Sequence, residues 1–222
     1  MGSEPPRERI VREATRLFSD KGFERTTIPD IQAASGLSPG AGGMYRHFPS
    51  KEALLEEVVH RLVSSFEERA EKLAAEPSRD YPEDFLELLA KGALDEFAEG
   101  RDGVRIALRS LDHFPHLQRE FREKRIQSAN RALAAWLESQ VKAGRLRDHD
   151  SKAMAPVILG SLVSFRILEA LTGERPVPVA DKRFLAAWLD LVLTGLAPTK
   201  RTSKAPLLRN AKPVVRAKGE AR

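Results

Sequence analysis

Apolar residues recur along most of this chain at helical spacing. Ile10, Ala14, Leu17 and Phe18 fall at i, i+4, i+7 and i+8, on one face of a first helix. Gly22 ends that helix, and Phe23 folds back on it. Thr27 predicts the N-cap of a short second helix over 28–34, with Pro29 in its first turn. Ser35-Gly36-Leu37 predicts a turn with Gly36 in the left-handed region. Ser38-Pro39 opens a third short helix that ends at Phe48-Pro49. Ser50 caps a long fourth helix on which Leu54, Leu55, Val58, Val59, Leu62, Val63, Phe66, Ala70 and Leu73 share a face, up to Glu76-Pro77. About 25 residues rising ~1.5 Å each span about 37 Å, enough to bridge a small N-terminal unit and a larger body.

The helical pattern continues over 82–99, 103–113 and 116–143, then from a cap at Asp150 or Ser151 to Leu171. Asp181 caps a final helix with Phe184, Leu185, Trp188, Leu189, Val192 and Leu196 on one stripe. No alternating strand pattern of useful length and no repeat at solenoid periods occurs. The predicted fold is all-α, about nine helices: a three-helix head joined by the long fourth helix to a helical-bundle body. The division falls at 1–51 (head), 52–197 (body) and 198–222 (tail).

The 222 residues include no cysteine, which excludes disulfide scaffolds, Cys-ligated metal sites, thiol nucleophiles and thiol-based sensing. No uninterrupted apolar run reaches the roughly 18 residues of a membrane span, and the first six residues hold no apolar signal core. The sequence therefore predicts neither a membrane span nor export. The net charge of +5 is unevenly placed. Residues 198–222 hold eight Lys and Arg against Glu220 alone, whereas residues 52–197 hold 21 bases and 25 acids. The tail reads as disordered, either a solubilising end or a non-specific attraction to DNA phosphate.

The head carries the candidate chemistry. Two short helices joined by a tight glycine turn form a helix-turn-helix pattern, in which the second of the pair enters the major groove. Ile31, Ala34 and Leu37 are expected to pack the pair together. Ser38, Pro39, Gly40, Ala41, Gly42 and Gly43 are small, as a closely approaching base-reading surface requires. Tyr45, Arg46 and His47 follow, within reach of phosphates on either side, and Lys51 sits at the start of the fourth helix. Arg25 and Thr26 read either as solvated turn residues or as phosphate contacts.

In ordered sequence, Thr26-Thr27-Ile28-Pro29-Asp30-Ile31, Ser35-Gly36-Leu37-Ser38 and Met44-Tyr45-Arg46-His47-Phe48-Pro49-Ser50-Lys51-Glu52-Ala53-Leu54-Leu55 resemble the DNA-binding domain of the TetR family of bacterial transcriptional regulators. The helical body and the closing Val192-Leu193-Thr194-Gly195-Leu196 fit the same family. The resemblance implies a cytoplasmic, nucleoid-associated homodimer whose two heads read a palindromic operator about 34 Å apart. By match to the family's pattern, Thr27, Tyr45, His47 and Lys51 occupy its phosphate-contacting positions, and residues 38–43 its base-reading stretch. The last two helices would form an intersubunit four-helix bundle, with Val157, Ser161, Leu162, Phe165, Leu185, Trp188, Leu189, Val192 and Leu196 at the interface.

Two departures stand out. Seven residues, Ser38 to Met44, precede the tyrosine where the family has five, and three of them are glycine. Each glycine weakens a helix by about 1 kcal/mol relative to alanine, so this segment is predicted to be mobile off DNA and to order on it. Gln32 stands where a small alanine is usual. The segment also lacks Arg, Asn and Gln before Arg46, so reading rests on Ser38, backbone groups, thymine-methyl contacts by Pro39 or Ala41, and DNA shape. Arg46 reads either as the base-edge contact or as a phosphate contact.

In the body, an apolar effector cavity is expected near Phe66, Phe85, Phe97, Leu108, His113, Phe114, Phe121, Trp136, Phe165 and Arg166. Arg166 and Glu169, three apart, read as an ion pair or as a ligand-orienting charge. Asp112-His113-Phe114-Pro115-His116 is no metal site, because Pro115 breaks the helix between the two histidines. No nucleophile elbow or P-loop is present. The sequence thus predicts no enzyme, no cofactor and no metal, but a ligand-responsive DNA-binding regulator, most simply a repressor released by a largely apolar small molecule. An activator, a regulator without a ligand, an all-α ligand-binding protein or enzyme, and a non-specific DNA-packaging protein remain as alternatives.

Overall fold

A computed structural model describes residues 4–38, 43–75, 80–99, 101–175 and 177–198; the basic tail from residue 199 on lies outside them. No strand occurs among the described residues, and the chain is a succession of α-helices. Helix α1 spans Pro6–Lys21 and buries Ile10, Val11, Ala14, Leu17 and Phe18. Gly22 ends it at φ 79°, its N–H bonded to the Phe18 carbonyl. Helix α2, Ile28–Ala34, begins with a capping box: Thr27 Oγ1 accepts from Asp30 N, and Asp30 accepts from Thr27 N. It ends in the predicted turn. Gly36 sits at φ 65°, Leu37 N donates to the Gln32 carbonyl (2.9 Å), and Arg9 Nε donates to the Ser35 carbonyl (3.2 Å).

The segment expected to be the third short helix is described only in part. Pro39–Gly42 lie outside the described residues, and 43–47 form a turn closed by Phe48 N on the Met44 carbonyl (3.0 Å). Met44 and Phe48 are buried and anchor this turn. Gln32 is also buried, with its amide against Gly43, whereas Ala34 faces solvent; Ile31, Leu37 and Gln32 make the packing instead.

Helix α3, Lys51–Ala75, is the long connector, capped by Ser50 Oγ accepting from Ala53 N (3.1 Å). Helices α4 (Pro82–Glu99) and α5 (Arg101–Ser110) follow. Gly103 lets α5 approach α3 closely, since a Cβ there would lie 2.7 Å from a Leu62 methyl. After a 3₁₀ turn at Leu111–His113, one continuous helical stretch comprises α6 (Pro115–Phe121), a π-helical turn (Arg122–Gln127) and α7 (Ser128–Lys142). Ser128 Oγ donates to the carbonyls of Lys124 and Arg125, and Asn130 Nδ2 to that of Ile126. These side chains supply bonds that a widened turn takes from the backbone.

Helix α8 (Ser151–Thr172) is capped by Asp150 and stopped by Gly173 at φ 86°; α9 (Asp181–Leu196) closes the described chain. Helix α8 qualifies one expectation. Its 22 residues include an 18-residue window of mean hydropathy 1.6, so by length and composition alone it is long and apolar enough to cross a membrane. The sequence hid this because Arg166 and Glu169 interrupt the run; both are ion-paired to neighbours within the chain.

Two buried clusters hold the helices. One joins Ile10, Phe18, Ile31, Met44 and Phe48 of the head to Leu54, Val58 and Val63 of α3, and then to Ile106, Leu111 and Leu117. The other joins Phe85, Leu86, Trp136, Leu137, Ile158, Leu162, Trp188 and Leu196. The head core is therefore completed by α5 and α6. A fully buried Leu or Phe contributes about 1.5–3 kcal/mol relative to exposure, so these contacts hold the head on the body.

Candidate nucleic-acid interface and ligand cavity

The head turns a polar edge outward. In the turn after residue 43, the period of four that buries Met44 and Phe48 leaves Tyr45 (56% exposed) and Arg46 outside, with His47 half-buried. Ser38 and Thr27 are exposed on the same head. Thr27 Oγ1 caps α2 and still carries a proton to donate. Arg25 is exposed, its Nε on the Lys21 carbonyl (2.9 Å). Gly43 is half-buried beside Leu37 and Gln32, and Pro39, Gly40, Ala41 and Gly42 lie outside the described residues.

One predicted contact is corrected, and a second is engaged within the chain. Thr26 is fully buried, and its hydroxyl donates to the carbonyls of Leu17 (3.2 Å) and Gly22 (2.8 Å), so it closes the α1–α2 loop and does not face a phosphate. Lys51 turns inward: Nζ donates to the carbonyls of Phe23 (2.9 Å) and Thr26 (3.0 Å) and lies 4.1 Å from the Phe23 ring centroid. A cation at the start of α3 is unfavourable toward the helix dipole, and two loop carbonyls offset this. These two bonds tie the start of α3 to the loop that carries Thr27.

Helices α1 and α3 are also latched by charge. Glu57 accepts from Arg7 (3.0 Å) and Arg61 (2.7 Å), and Arg61 also pairs with Glu8 (3.0 Å). The hydrogen bond from Arg7 holds the Glu57 carboxyl below the ordinary carboxylate range, and that from Arg61 does the same for Glu8.

The body holds a cavity of about 340 Å³, open to solvent on one side, between α3, α4, α7 and α8. Phe66, Ala70 and Leu73 line it from α3; Phe85, Leu88, Leu89, Gly92, Ala93 and Glu96 from α4; Ala129, Ala132 and Leu133 from α7; Leu159 from α8; Arg69 and Lys72 stand at its edge on α3. Of the predicted cavity residues, Phe66 and Phe85 line it. Trp136 lies one layer behind, stacked on Phe85 at 4.2 Å. The others are corrections. Phe114 and Phe121 pack on the head core, because α6 is held there by Leu117; Phe114 meets Phe23 edge-on at 4.8 Å. Phe165 stacks on Phe184 of α9 at 3.8 Å, and Arg166 pairs with Glu169 and Asp181. His113 is exposed, in a separate groove with Lys21, Arg25 and Arg109, and Phe97 is half-buried away from the cavity wall. The Leu108 side chain lies outside the described residues. Glu96 escaped the sequence reading, although Phe85, Leu89, Gly92, Ala93 and Glu96 form one stripe on which a single carboxylate interrupts apolar positions.

The predicted interface residues divide. Leu162, Trp188 and Leu196 are buried in the body's own core, with Trp188 Nε1 donating to Ser161 Oγ (2.8 Å), so they are corrected to intrachain contacts. Phe165, Leu185, Leu189 and Val192 are partly buried. Val157 (64%), Leu168 (48%) and Leu191 (72%) are exposed, and Ala153, Gly160, Ser161 and Ser164 share the outer face of α8 with the first two.

Comparison with known proteins places this geometry. Residues 10–58 match the family model "Bacterial regulatory proteins, tetR family", and residues 96–191 match "AefR-like transcriptional repressor, C-terminal domain". The HTH-type transcriptional repressor Rv1474c of Mycobacterium tuberculosis is 29% identical over 187 residues, covering 84% of this chain and 90% of that protein. The HTH-type transcriptional regulator YerO of Bacillus subtilis is 34% identical over 106 residues, covering 46% of this chain and 35% of that protein. The solved structure of the ketosteroid transcriptional regulator KstR2 of Mycobacterium tuberculosis superposes with a TM-score of 0.66 at 19% identity, over 88% of this chain and 97% of the other.

Proposed function

Because this chain belongs to the TetR family of bacterial transcriptional regulators, we propose that it is a homodimeric repressor of a palindromic operator, released when a small molecule fills the cavity of the body. The observation that carries this reading is the outward edge of the head. Met44 and Phe48 hold the turn from inside, and Thr27, Ser38, Tyr45 and Arg46 stand exposed on one small unit. Thr27, Tyr45 and His47 contact phosphates, and Ser38, the stretch to Gly43 and Arg46 read bases. Residues 1–51 form the reading unit, 52–197 the effector and dimerisation unit, and the basic tail adds non-specific attraction to DNA. The protein works in the cytoplasm, as its bacterial regulator relatives imply.

Dimerisation is supported by the outer face of α8 and α9. Val157, Leu168 and Leu191 form an exposed apolar set, and Gly160, Ser161 and Ser164 let a second backbone approach. In the dimer the two heads address major grooves about 34 Å apart. A ligand between α3 and α4 tilts α3 and changes that spacing; a coupling of about 1–3 kcal/mol changes operator affinity 5- to 150-fold. Selection of bound fragments from genomic DNA tests the reading. Recovery of a palindrome is expected, and uniform coverage without a shared sequence would overturn it.

A further inference from the structure

Apart from the exposed Arg69 and Lys72 of α3 at its edge, the cavity is apolar except at the end of the α4 stripe, where Glu96 stands. Its side chain is 15% exposed and pairs with Arg125, itself 18% exposed, on the π-helical turn. A carboxylate so far removed from water persists only where its lone pairs are met. Arg125 meets it from behind. The guanidinium carbon lies 5.1 Å from the Phe66 ring centroid and 5.5 Å from that of Phe121, so the cation is held between rings of α3 and α6 and is not itself part of the cavity wall. Glu96 is part of the wall. A carboxylate offers about four acceptor positions, and a guanidinium engages at most two of them side by side. What Glu96 presents to an occupant accepts hydrogen bonds and donates none.

The geometry points to Glu96 as the residue that reads the effector's polar group, and to an effector with an apolar body ending in a hydrogen-bond donor, a hydroxyl or an amine. This rests on the cavity being the effector site. An effector carboxylate would set like charges together in a low-dielectric wall. Arg125 already answers the charge of Glu96, so a hydroxyl adds no unbalanced charge, and the positive charge of an ammonium is set against the carboxylate itself. The cavity, about 340 Å³, lies near the lower end of the range for small-molecule sites and suits a short chain or a small ring system. The pair also joins the cavity to the connector: a ligand bonded to Glu96 bears on Arg125, whose ring partner Phe66 belongs to α3.

Octanol, octylamine and octanoate, equal in chain length, test the assignment on the full chain by calorimetric titration. Octanol and octylamine are expected to bind at least about tenfold more tightly than octanoate, a difference of about 1.4 kcal/mol. Glu96→Gln is expected to bring octanoate level with octanol. Octanoate binding the unaltered protein as tightly as octanol, or a ranking unchanged by Glu96→Gln, overturns the proposal and leaves the cavity as a ligand site. Binding of none of the three overturns the cavity reading and the proposal with it. The ranking on the unaltered protein decides alone if Glu96→Gln does not fold.

Discussion

Arg105 Nε of α5 donates to the Ala170 carbonyl in the last turn of α8, 2.5 Å away. One turn later Arg109 reaches the carbonyls of Ser19 in α1 (3.5 Å) and Leu171 in α8 (3.4 Å). Two cations on one short helix thus complement the negative ends of a head helix and a body helix. Since Phe23 N also donates to Ser110 Oγ (3.4 Å), α5 ties the head to the body alongside α3.

Replacing Arg105 with Met is expected to remove a charge-assisted bond in a largely buried setting, worth about 1.5–3 kcal/mol. In a protein of this size that lowers Tm by several degrees, measured by calorimetry. An unchanged Tm would show that the bond contributes nothing to holding α8 on α5.

Lys51→Ala separates a clamp from a phosphate contact. The clamp predicts a lower Tm and weaker operator binding with an unchanged dependence on salt, because no counterion-releasing contact is lost. A salt slope reduced by about one would return Lys51 to the DNA surface. Tyr45→Ala, by contrast, is expected to leave Tm unchanged and to weaken binding to all sequences alike.

The latch between α1 and α3 makes stability depend on pH in a defined direction. Glu8 and Glu57 are held below the ordinary value of 4.5 by their arginine partners. Their contribution is therefore complete above pH 4.5 and is lost as pH falls through the lowered values. Unfolding followed below pH 4.5 should show the unaltered protein losing stability more steeply than Glu57→Gln. Parallel curves would remove the latch from the account.

Leu191→Asp places a charge on the most exposed large apolar residue of α9. The expected product is a monomer by sedimentation with undiminished helical content and no operator binding. A dimer that persists would place the interface elsewhere.

The elements were legible where local chemistry decides them. Thr27 with Asp30, Gly36 and the stripe of α3 each announce themselves within a few residues. The destination of a side chain was not legible where two cores compete for it. Phe114 and Phe121 look like Phe66 and Phe85 along the chain, and only the docking of α6 against α3, with Phe114 on Phe23, sends the first two to the head. Thr26 and Lys51 match a DNA-contacting pattern, yet loop carbonyls at hydrogen-bonding distance take both. Leu162, Trp188 and Leu196 lie on apolar stripes that a single chain already covers.

The π-helical turn at Arg122–Gln127 has a consequence for how this chain tolerates insertions and deletions. A π turn holds one residue more than an α turn, and one residue rotates everything beyond it by about 100°. Upstream of it Leu117 and Phe121 key into one core, and downstream Leu133, Trp136 and Leu137 key into the other. The extra residue sets the phase between them. A chain shortened by one residue here could regularise the helix, but it would seat only one of the two sets, so the irregular turn is the condition under which a single helix serves both.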